Sequence, residues 1–566
     1  MTSALMNQFM GEDYADFIID YRANPGLKDL FPNAEFHVID ENYSVLHLPV
    51  AQFQNRTVRG MRLLLVPYLY GLTSEVALEA SGVERLRTLP NFNLRGSGIL
   101  ICIIDTGVKY TLPAFKNQDG TTKIHSIWDQ TIHGDEAPFQ LLFGTEYNKE
   151  QINQALNSEN PLSVVPSTDE DGHGTMLAAV AAGTEDSNAG FNGVAPDAEL
   201  VIVKLAEAKQ YLRDFYSIPE GVICYQENNI MWGVIYCVQV ARQLNRPFSI
   251  CIGLGTSQSS HGGVSPLSQM LTNYADIPHT GVVIAAGNEG NLGRHFHGVI
   301  DPAIGNLEVE LNVGENDKGF SMSLWGSAPG IFSIDILSPS GEYIPRIPAS
   351  LQVVRRISFI FEQTTIYVEY ETVEYNTGDQ VILLNFKNVT PGIWKFTIYA
   401  QGNLSSEFHI WLPMGNFITR DTRFIRPDIY TTIVAPGNAE VPITVTAYNP
   451  SGGSLYTNAS RGFSRTNTIK PELAAPGVNY IAPTLDGGYT NYTGTGAAAA
   501  HTAGIVALLF EWGIVNGNQT SFDTLEVKKY LVRGAKRSSN LTYPNRDWGY
   551  GILDLYNTFD VLRRNL

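Results

Sequence analysis

Three side chains able to hold a proton or steady a negative charge stand in glycine-rich settings. Asp105 closes Ile103-Ile104-Asp105-Thr106-Gly107, His173 lies in Asp171-Gly172-His173-Gly174-Thr175-Met176, and Asn288 lies in Ala285-Ala286-Gly287-Asn288-Glu289-Gly290. An Asp at the C-terminal end of a buried strand stands where open α/β sheets build their sites. Glycines on both sides let the backbone carry an imidazole into a helix start without steric cost. An amide held after a strand can donate to a developing oxyanion. Each also has a structural reading: a turn-capping Asp, a hydrogen-bonded structural His, an Asn in a glycine turn. A fourth segment, Gly494-Thr495-Gly496-Ala497-Ala498-Ala499-Ala500-His501-Thr502-Ala503-Gly504, follows Pro471-Glu472-Leu473-Ala474-Ala475-Pro476-Gly477. Its small residues suit a helix packed tightly in the middle of a domain.

The surrounding sequence predicts the elements that hold these residues. Ile99–Asp105, Leu200–Leu205, Phe248–Gly255, Val282–Asn288 and Thr431–Gly437 are short β-branched runs of the kind that form strands buried on both faces. Helical patterns at 175–183 and 229–244 fall between some of them, and further helices are expected at 496–512 and 524–534. Strands alternating with helices imply an α/β domain, a doubly wound parallel sheet with helices on both faces. Residues 300 to 415 read differently, as eight short alternating strands separated by Gly, Pro and Asn turns. That pattern predicts an all-β sandwich or jelly roll inserted in the α/β domain. Residues 1 to 70 form a small α+β unit, with strands over Phe17–Asn24 and Phe36–Val50 and an apolar strand ending in Pro67-Tyr68-Leu69-Tyr70. Rough helical spacing runs from Thr73 to Leu89. The expected divisions are therefore 1–70, 71–299, 300–415 and 416–566.

Composition narrows the class. The 566 residues are 44% hydrophobic and 17% charged, enough apolar material for large cores and against wholesale disorder. A formal net charge of −18 excludes binding nucleic acid or an anionic membrane through a general basic field. Four cysteines, Cys102, Cys224, Cys237 and Cys251, make no disulfide framework and no CxxC pair, and are expected as ordinary buried thiols. The first sixteen residues lack a basic segment followed by an apolar one, so no signal peptide is expected. The apolar stretch Ala497–Phe510, interrupted by His501, Thr502 and Gly504, is expected to be too short and polar to span a bilayer. These features predict a soluble intracellular protein.

The order DTG, HGT, GVAPDAEL-VIVKL, AAGN, KPELAAPG and GT-x-AAA-x-x-AG resembles that of the subtilisin-like serine proteases, over about 98–295 and 430–560. The resemblance implies a subtilisin-like fold with Asp105 orienting the imidazole, His173 as general base and Asn288 as oxyanion-hole donor. Gly253-Leu254-Gly255 resembles the segment lining the substrate cleft. The family's propeptide folds the catalytic domain and leaves its tail in the cleft, which would assign residues 1–70 that role and put the tail and cleavage region at Tyr68, Leu69, Tyr70 and Gly71.

One position departs from the family. The nucleophilic serine follows the Gly-Thr pair, and here that residue is Gly496. Glycine has no atom that can attack a carbonyl, so no acyl-enzyme can form. In subtilisin, loss of the serine alone costs about 10⁶-fold in kcat. Thr495 and Thr493 are poor substitutes, because a shift of one residue near a helix start turns the side chain by about 100°. The motif's usual Pro is also replaced, by Ala500. Gly496 fits a natural pseudoprotease, since engineers usually choose Ala; the intact Asp105, His173 and Asn288 fit a deliberate replacement.

A propeptide, an inserted β-sandwich, a degenerate nucleophile and no signal peptide together resemble the clostridial Csp germination proteases and pseudoproteases. That resemblance implies an inactive, binding regulator of spore germination. The alternative it implies is an active endopeptidase that processes a spore-cortex hydrolase zymogen, seen with its nucleophile substituted. A purely carbohydrate- or protein-binding role for the insert rests on fold analogy alone. The expected partners are the chain's own propeptide and a protein in germination signalling, with no cofactor, no metal, no nucleic acid and no membrane insertion, in a spore-associated location. Asp169-Glu170-Asp171 lacks the ligand alternation of a calcium loop and reads as a solvated acidic turn. His501 reads as a packed helix residue, and Arg461 as half of a structural salt bridge beside the cleft.

Overall fold

Runs of β-branched residues without alternation need cover on both faces. The structure, a computed structural model, describes residues 3–21, 35–53, 65–73, 93–134, 137–139, 141–349 and 354–564. Four of the five predicted runs lie side by side in an eight-stranded sheet. Its order is Leu473–Pro476, Ile443–Tyr448, Thr280–Ala285, Phe248–Ile252, Leu100–Asp105, Glu199–Lys204, Ile124–Asp129 and Thr145–Asn148. All neighbours pair in parallel except the last, an antiparallel edge strand. Leu100–Asp105 is buried at every position.

Helices cover both faces. His173–Ala182 and Thr495–Phe510 pack on one side, Glu227–Leu244 and Pro266–Ala275 on the other. The Ala-rich sequences of the first pair are buried at every residue. Small side chains let those helices approach the sheet and each other closely.

The fifth run, Thr431–Gly437, is not a strand. Its backbone bonds to three separate segments: Thr431 and Thr432 N–H donate to Gly462 and Arg461, Val434 N–H donates to Ala286, and Ala435 exchanges hydrogen bonds with Thr256. Pro436 has no N–H to continue a ladder. The sheet strand is Ile443–Tyr448, just downstream. The apolar helix also differs from expectation. A π-turn over Glu511–Val515 extends it to Thr495–Val515, long and apolar enough to cross a membrane, though 83% of its most apolar 18 residues are buried in the fold.

The eight strands expected between 300 and 415 are all present, with three more at His295–Ile300, Tyr343–Ile347 and Arg423–Phe424. They form a six-stranded and a five-stranded antiparallel sheet that share one apolar core, including Phe320, Trp394 and Phe396. Alternating burial along Thr365–Glu371 shows why the pattern was legible.

At the N-terminus, Tyr14–Asp20, Tyr43–Pro49 and Phe36–Val38 form a three-stranded antiparallel sheet in that order. The strand expected over Phe36–Val50 is broken in two, because the Asp40 carboxylate accepts from the N–H groups of Asn42 and Tyr43 and turns the chain. Most of the helical spacing expected from Thr73 to Leu89, and the turns around Pro25 and Pro32, lie outside the described residues.

Candidate active site

The central strand ends at Asp105, whose carboxylate is 1% exposed. Its Oδ1 accepts from the Thr106 N–H at 2.8 Å and lies 2.7 Å from His173 Nδ1. His173 opens its helix after Gly172, whose φ of 99° lies in the left-handed region where a side chain is strained. Asp169 anchors that entry: its carboxylate accepts from the N–H groups of Gly172 and Thr175, each at 2.9 Å. The acidic turn is thus solvated only at Glu170 and Asp171, while Asp169 is buried as a helix anchor.

Burial disfavours the imidazolium of His173, but the charge and hydrogen bond of Asp105, with Asp171 and Asp169 nearby, outweigh burial. The His173 pKa is therefore raised above the usual imidazole value. The other ring nitrogen, Nε2, is buried and has no hydrogen-bond partner among the described residues. It is the atom a general base would use.

The Asp105 and His173 loops lock together where the Gly174 N–H donates to Thr106 Oγ1 at 2.8 Å. A Cβ on Gly174 would lie 2.3 Å from the Gly107 carbonyl oxygen. Gly174→Ala is expected to force these loops apart and cost about 1–3 kcal/mol in thermal or denaturant unfolding. Unchanged stability would show that the loops separate freely.

Asn288 follows the Thr280–Ala285 strand. Thr495 donates to its Oδ1 from both N–H and Oγ1, each at 3.2 Å, which leaves the amide NH₂ as the remaining group. The Gly287 N–H in turn donates to Thr495 Oγ1 at 2.9 Å. The Thr495 hydroxyl is committed in both directions and fully buried, so it is not a substitute nucleophile. Thr493 Oγ1 accepts from the Asn479 N–H. Gly496 is buried in the first turn of the helix, and it is not among the glycines with positive φ, so the backbone there does not require glycine.

The cleft holds the end of the N-terminal unit. Leu69–Leu72 is the middle strand of a three-stranded antiparallel sheet. Gly71 and Leu72 pair with Gly255 and Leu254 on one side, and Leu69 and Tyr70 pair with Gln226 and Tyr225 on the other. Thr73 continues the line: its hydroxyl donates to the Gly253 carbonyl, and its own carbonyl accepts from the Gly496 N–H at 2.7 Å. This register puts the residue facing the Gly496 amide at Thr73, two residues beyond the Tyr68–Gly71 region expected from the sequence. Beside the strand runs a cleft of about 770 Å³ lined by Gly71, Leu72, His173, Asn288 and Thr493 among others.

Glu227 anchors the strand from below. It accepts from Tyr70 Oη at 3.2 Å and from the Leu267 N–H at 3.0 Å. Complete burial raises its pKa to about 7, against the lowering effect of these hydrogen bonds. A raised carboxyl binds its proton more tightly in the folded chain. Its contribution is therefore most favourable below about pH 4.5 and is lost as pH rises to about 7, a span of about 3 kcal/mol. Glu227→Gln is expected to remove this part of the pH dependence of unfolding. Parallel curves for the two proteins between pH 4.5 and 8 would contradict it.

Other sequence candidates resolve simply. His501 is buried with Nδ1 3.0 Å from Tyr480 Oη. Arg461 Nε lies 3.6 Å from Asp547 Oδ1. All four cysteines are buried and unbridged. One cluster was missed: His297, Glu407 and His409, on the paired strands at the base of the antiparallel sheets.

Comparison with known proteins agrees with this architecture. The subtilase family model (Peptidase_S8) matches residues 96–313 and 386–551. The CspB protease of Clostridium perfringens is similar in structure, with a TM-score of 0.75 and 30% identity, covering 85% of this chain and 97% of that one. The minor extracellular protease Vpr of Bacillus subtilis is 21% identical across 82% of this chain and 51% of its own length. Thermitase of Thermoactinomyces vulgaris is 24% identical across 45% of this chain and 67% of its own length. The chain spans about half the length of the first of these curated relatives. With the family matched over well over half its residues and the parallel sheet in place, the chain belongs to the subtilase family, in a form structurally similar to the Csp proteases.

Proposed function

We propose that this chain is a Csp-type pseudoprotease that acts by binding. The observation that carries the reading is the contact between Gly496 and Thr73: at the position where the family's nucleophile would stand, a residue with no side chain offers only its amide, which donates to the Thr73 carbonyl. Asp105 and His173 are paired and Asn288 is oriented, yet no side chain is available at Gly496 to begin acyl transfer. The N-terminal unit then stays covalently attached as the cleft's occupant. A regulatory role in spore germination, with a protein partner and a spore-associated location, rests on the Csp resemblance.

A second reading is an active serine endopeptidase of the same type, acting on a spore-cortex hydrolase zymogen, with its nucleophile replaced. The intact Asp105–His173 pair at 2.7 Å favours it. Intact mass and fluorophosphonate labelling of the chain as written and of Gly496→Ser separate the readings. The binding reading expects the chain as written to stay whole and unlabelled. Cutting of the chain as written, or a serine-directed adduct in its cleft, would overturn that reading. Self-cutting by Gly496→Ser shows only that the remaining machinery is competent, which both readings allow; an uncut serine chain would overturn the second reading.

A further inference from the structure

The chain enters and leaves the six-stranded antiparallel sheet on two neighbouring strands, His295–Ile300 and Ser406–Trp411. His295 pairs with Trp411 and His297 with His409. Side chains alternate along a strand, so His295, His297, Glu407, His409 and Trp411 share one face. That face meets the subtilase body. The His261 ring stacks on Trp411 with centroids 4.0 Å apart, and Asp428 Oδ2 lies 3.7 Å from His297 Nδ1.

Three possible ligands converge there. Glu407 Oε1 is 2.8 Å from His297 Nε2 and 3.7 Å from His409 Nε2. One ligand atom from each residue lies within 4.8 Å of the other two. A tetrahedral ion with bonds of about 2.0–2.2 Å needs ligand atoms about 3.3–3.5 Å apart, so little movement is required. The opposite ring nitrogens have partners too: His409 Nδ1 is 2.9 Å from His295 Nε2, and His297 Nδ1 faces the Asp428 carboxylate. A metal-bound imidazole needs such a partner on its second nitrogen, to fix the tautomer that leaves the first nitrogen's lone pair for the ion. A plain His297–Glu407 ion pair needs neither. The Glu407 side chain is 50% exposed, which leaves an entry route and room for a water ligand.

We propose that His297, Glu407 and His409 bind a zinc-class divalent cation at the neck of the inserted sheets, with His295 and Asp428 orienting the ligating rings. Two imidazoles and one carboxylate suit Zn²⁺ rather than the all-oxygen preference of Ca²⁺ or Mg²⁺. The ion ties the strand entering the six-stranded sheet to the strand leaving it, and these ligands do not line the cleft. No metal site was expected from the sequence.

The test titrates the full chain, freed of metal by a chelator, with Zn²⁺ in competition with a chromogenic indicator. Tryptophan fluorescence gives a second signal, because Trp411 stacks on His409 with centroids 5.2 Å apart. One equivalent of Zn²⁺ is expected to bind, and an equal concentration of Ca²⁺ should not displace it. Glu407→Gln and His409→Ala should each weaken binding by about 100-fold or more, and Asp428→Asn by about 10–100-fold. The exposed control His133→Gln should bind as the parent does. Should His409→Ala fail to fold, the half-exposed Glu407→Gln carries the test. Absence of zinc binding by the parent chain, or binding undiminished by both Glu407→Gln and Asp428→Asn, would overturn the proposal.

Discussion

A Gly496→Ser chain is expected to cut itself between Thr73 and Ser74, while the chain as written remains whole. The Thr73 carbonyl already accepts from the residue 496 amide at 2.7 Å, so the bond to be broken is in register. Residue 496 lies in a helical turn without positive φ, so a serine Cβ costs no backbone strain. His173 Nε2 stands buried without a partner among the described residues, ready to take the hydroxyl proton, and Asp105 holds the opposite nitrogen at 2.7 Å. The amide NH₂ of Asn288 would stabilise the oxyanion. Restoring a nucleophile whose loss costs about 10⁶-fold in subtilisin should turn an undetectable reaction into a complete one. Mass spectrometry of the released N-terminal unit reads the site directly. The rate should rise with pH through the raised pKa of His173, because the base must be neutral. A cut at Tyr70–Gly71 would disprove the register. An uncut serine variant would mean that the rest of the machinery has lost competence.

Asp16→Ala is expected to release much of the grip between the N-terminal sheet and the subtilase body. Asp16 is fully buried, with Oδ1 2.7 Å from Lys209 Nζ and 2.8 Å from His47 Nδ1, and Oδ2 accepting from Gln226 at 2.7 Å. Burial alone would raise the carboxyl, but Lys209 and His47 hold it at about 2. Removing it leaves a buried ammonium without its counter-charge, which costs about 3–5 kcal/mol. Hydrogen exchange in Tyr43–Pro49, or proteolysis of the N-terminal unit, should accelerate by more than 100-fold, at about 1.4 kcal/mol per tenfold. The double variant Asp16→Ala, Lys209→Met should recover much of the loss, since an apolar pair often replaces a buried ion pair without penalty. A single variant as well protected as the parent would show that the ion pair contributes nothing. The same pair predicts an acid limit. Its contribution is complete above about pH 4 and disappears as pH falls through about 2, the sign required of a lowered carboxyl.

Much of the sheet was legible because buried parallel strands need uninterrupted β-branched residues, as Leu100–Asp105 and Glu199–Lys204 show. Thr431–Gly437 has the same composition but lies where its amides must serve three separate segments, so composition alone misassigned it. Tyr343–Ile347 was missed because Pro345 interrupts its pattern, which an edge strand tolerates. The zinc-ligand candidates were also missed. His295-Phe-His297 and Glu407-Phe-His409 each carry the period-two signal of a strand face, but nothing local says that the two strands are neighbours.

The sequence by itself determined the chemical inventory: an acid, an imidazole, an amide and the absence of a hydroxyl at position 496, each in a local glycine or strand setting that short-range sterics impose. Only the tertiary structure decided their relations. It brought Asp105 to His173, committed the Thr495 hydroxyl to Asn288 and Gly287, and set Thr73 rather than Tyr70 against Gly496. Backbone preference acts over a few residues, whereas register in a paired strand depends on the partner strand and on the pockets that receive alternate side chains. Those partners lie far away along the chain, and folding alone brings them together.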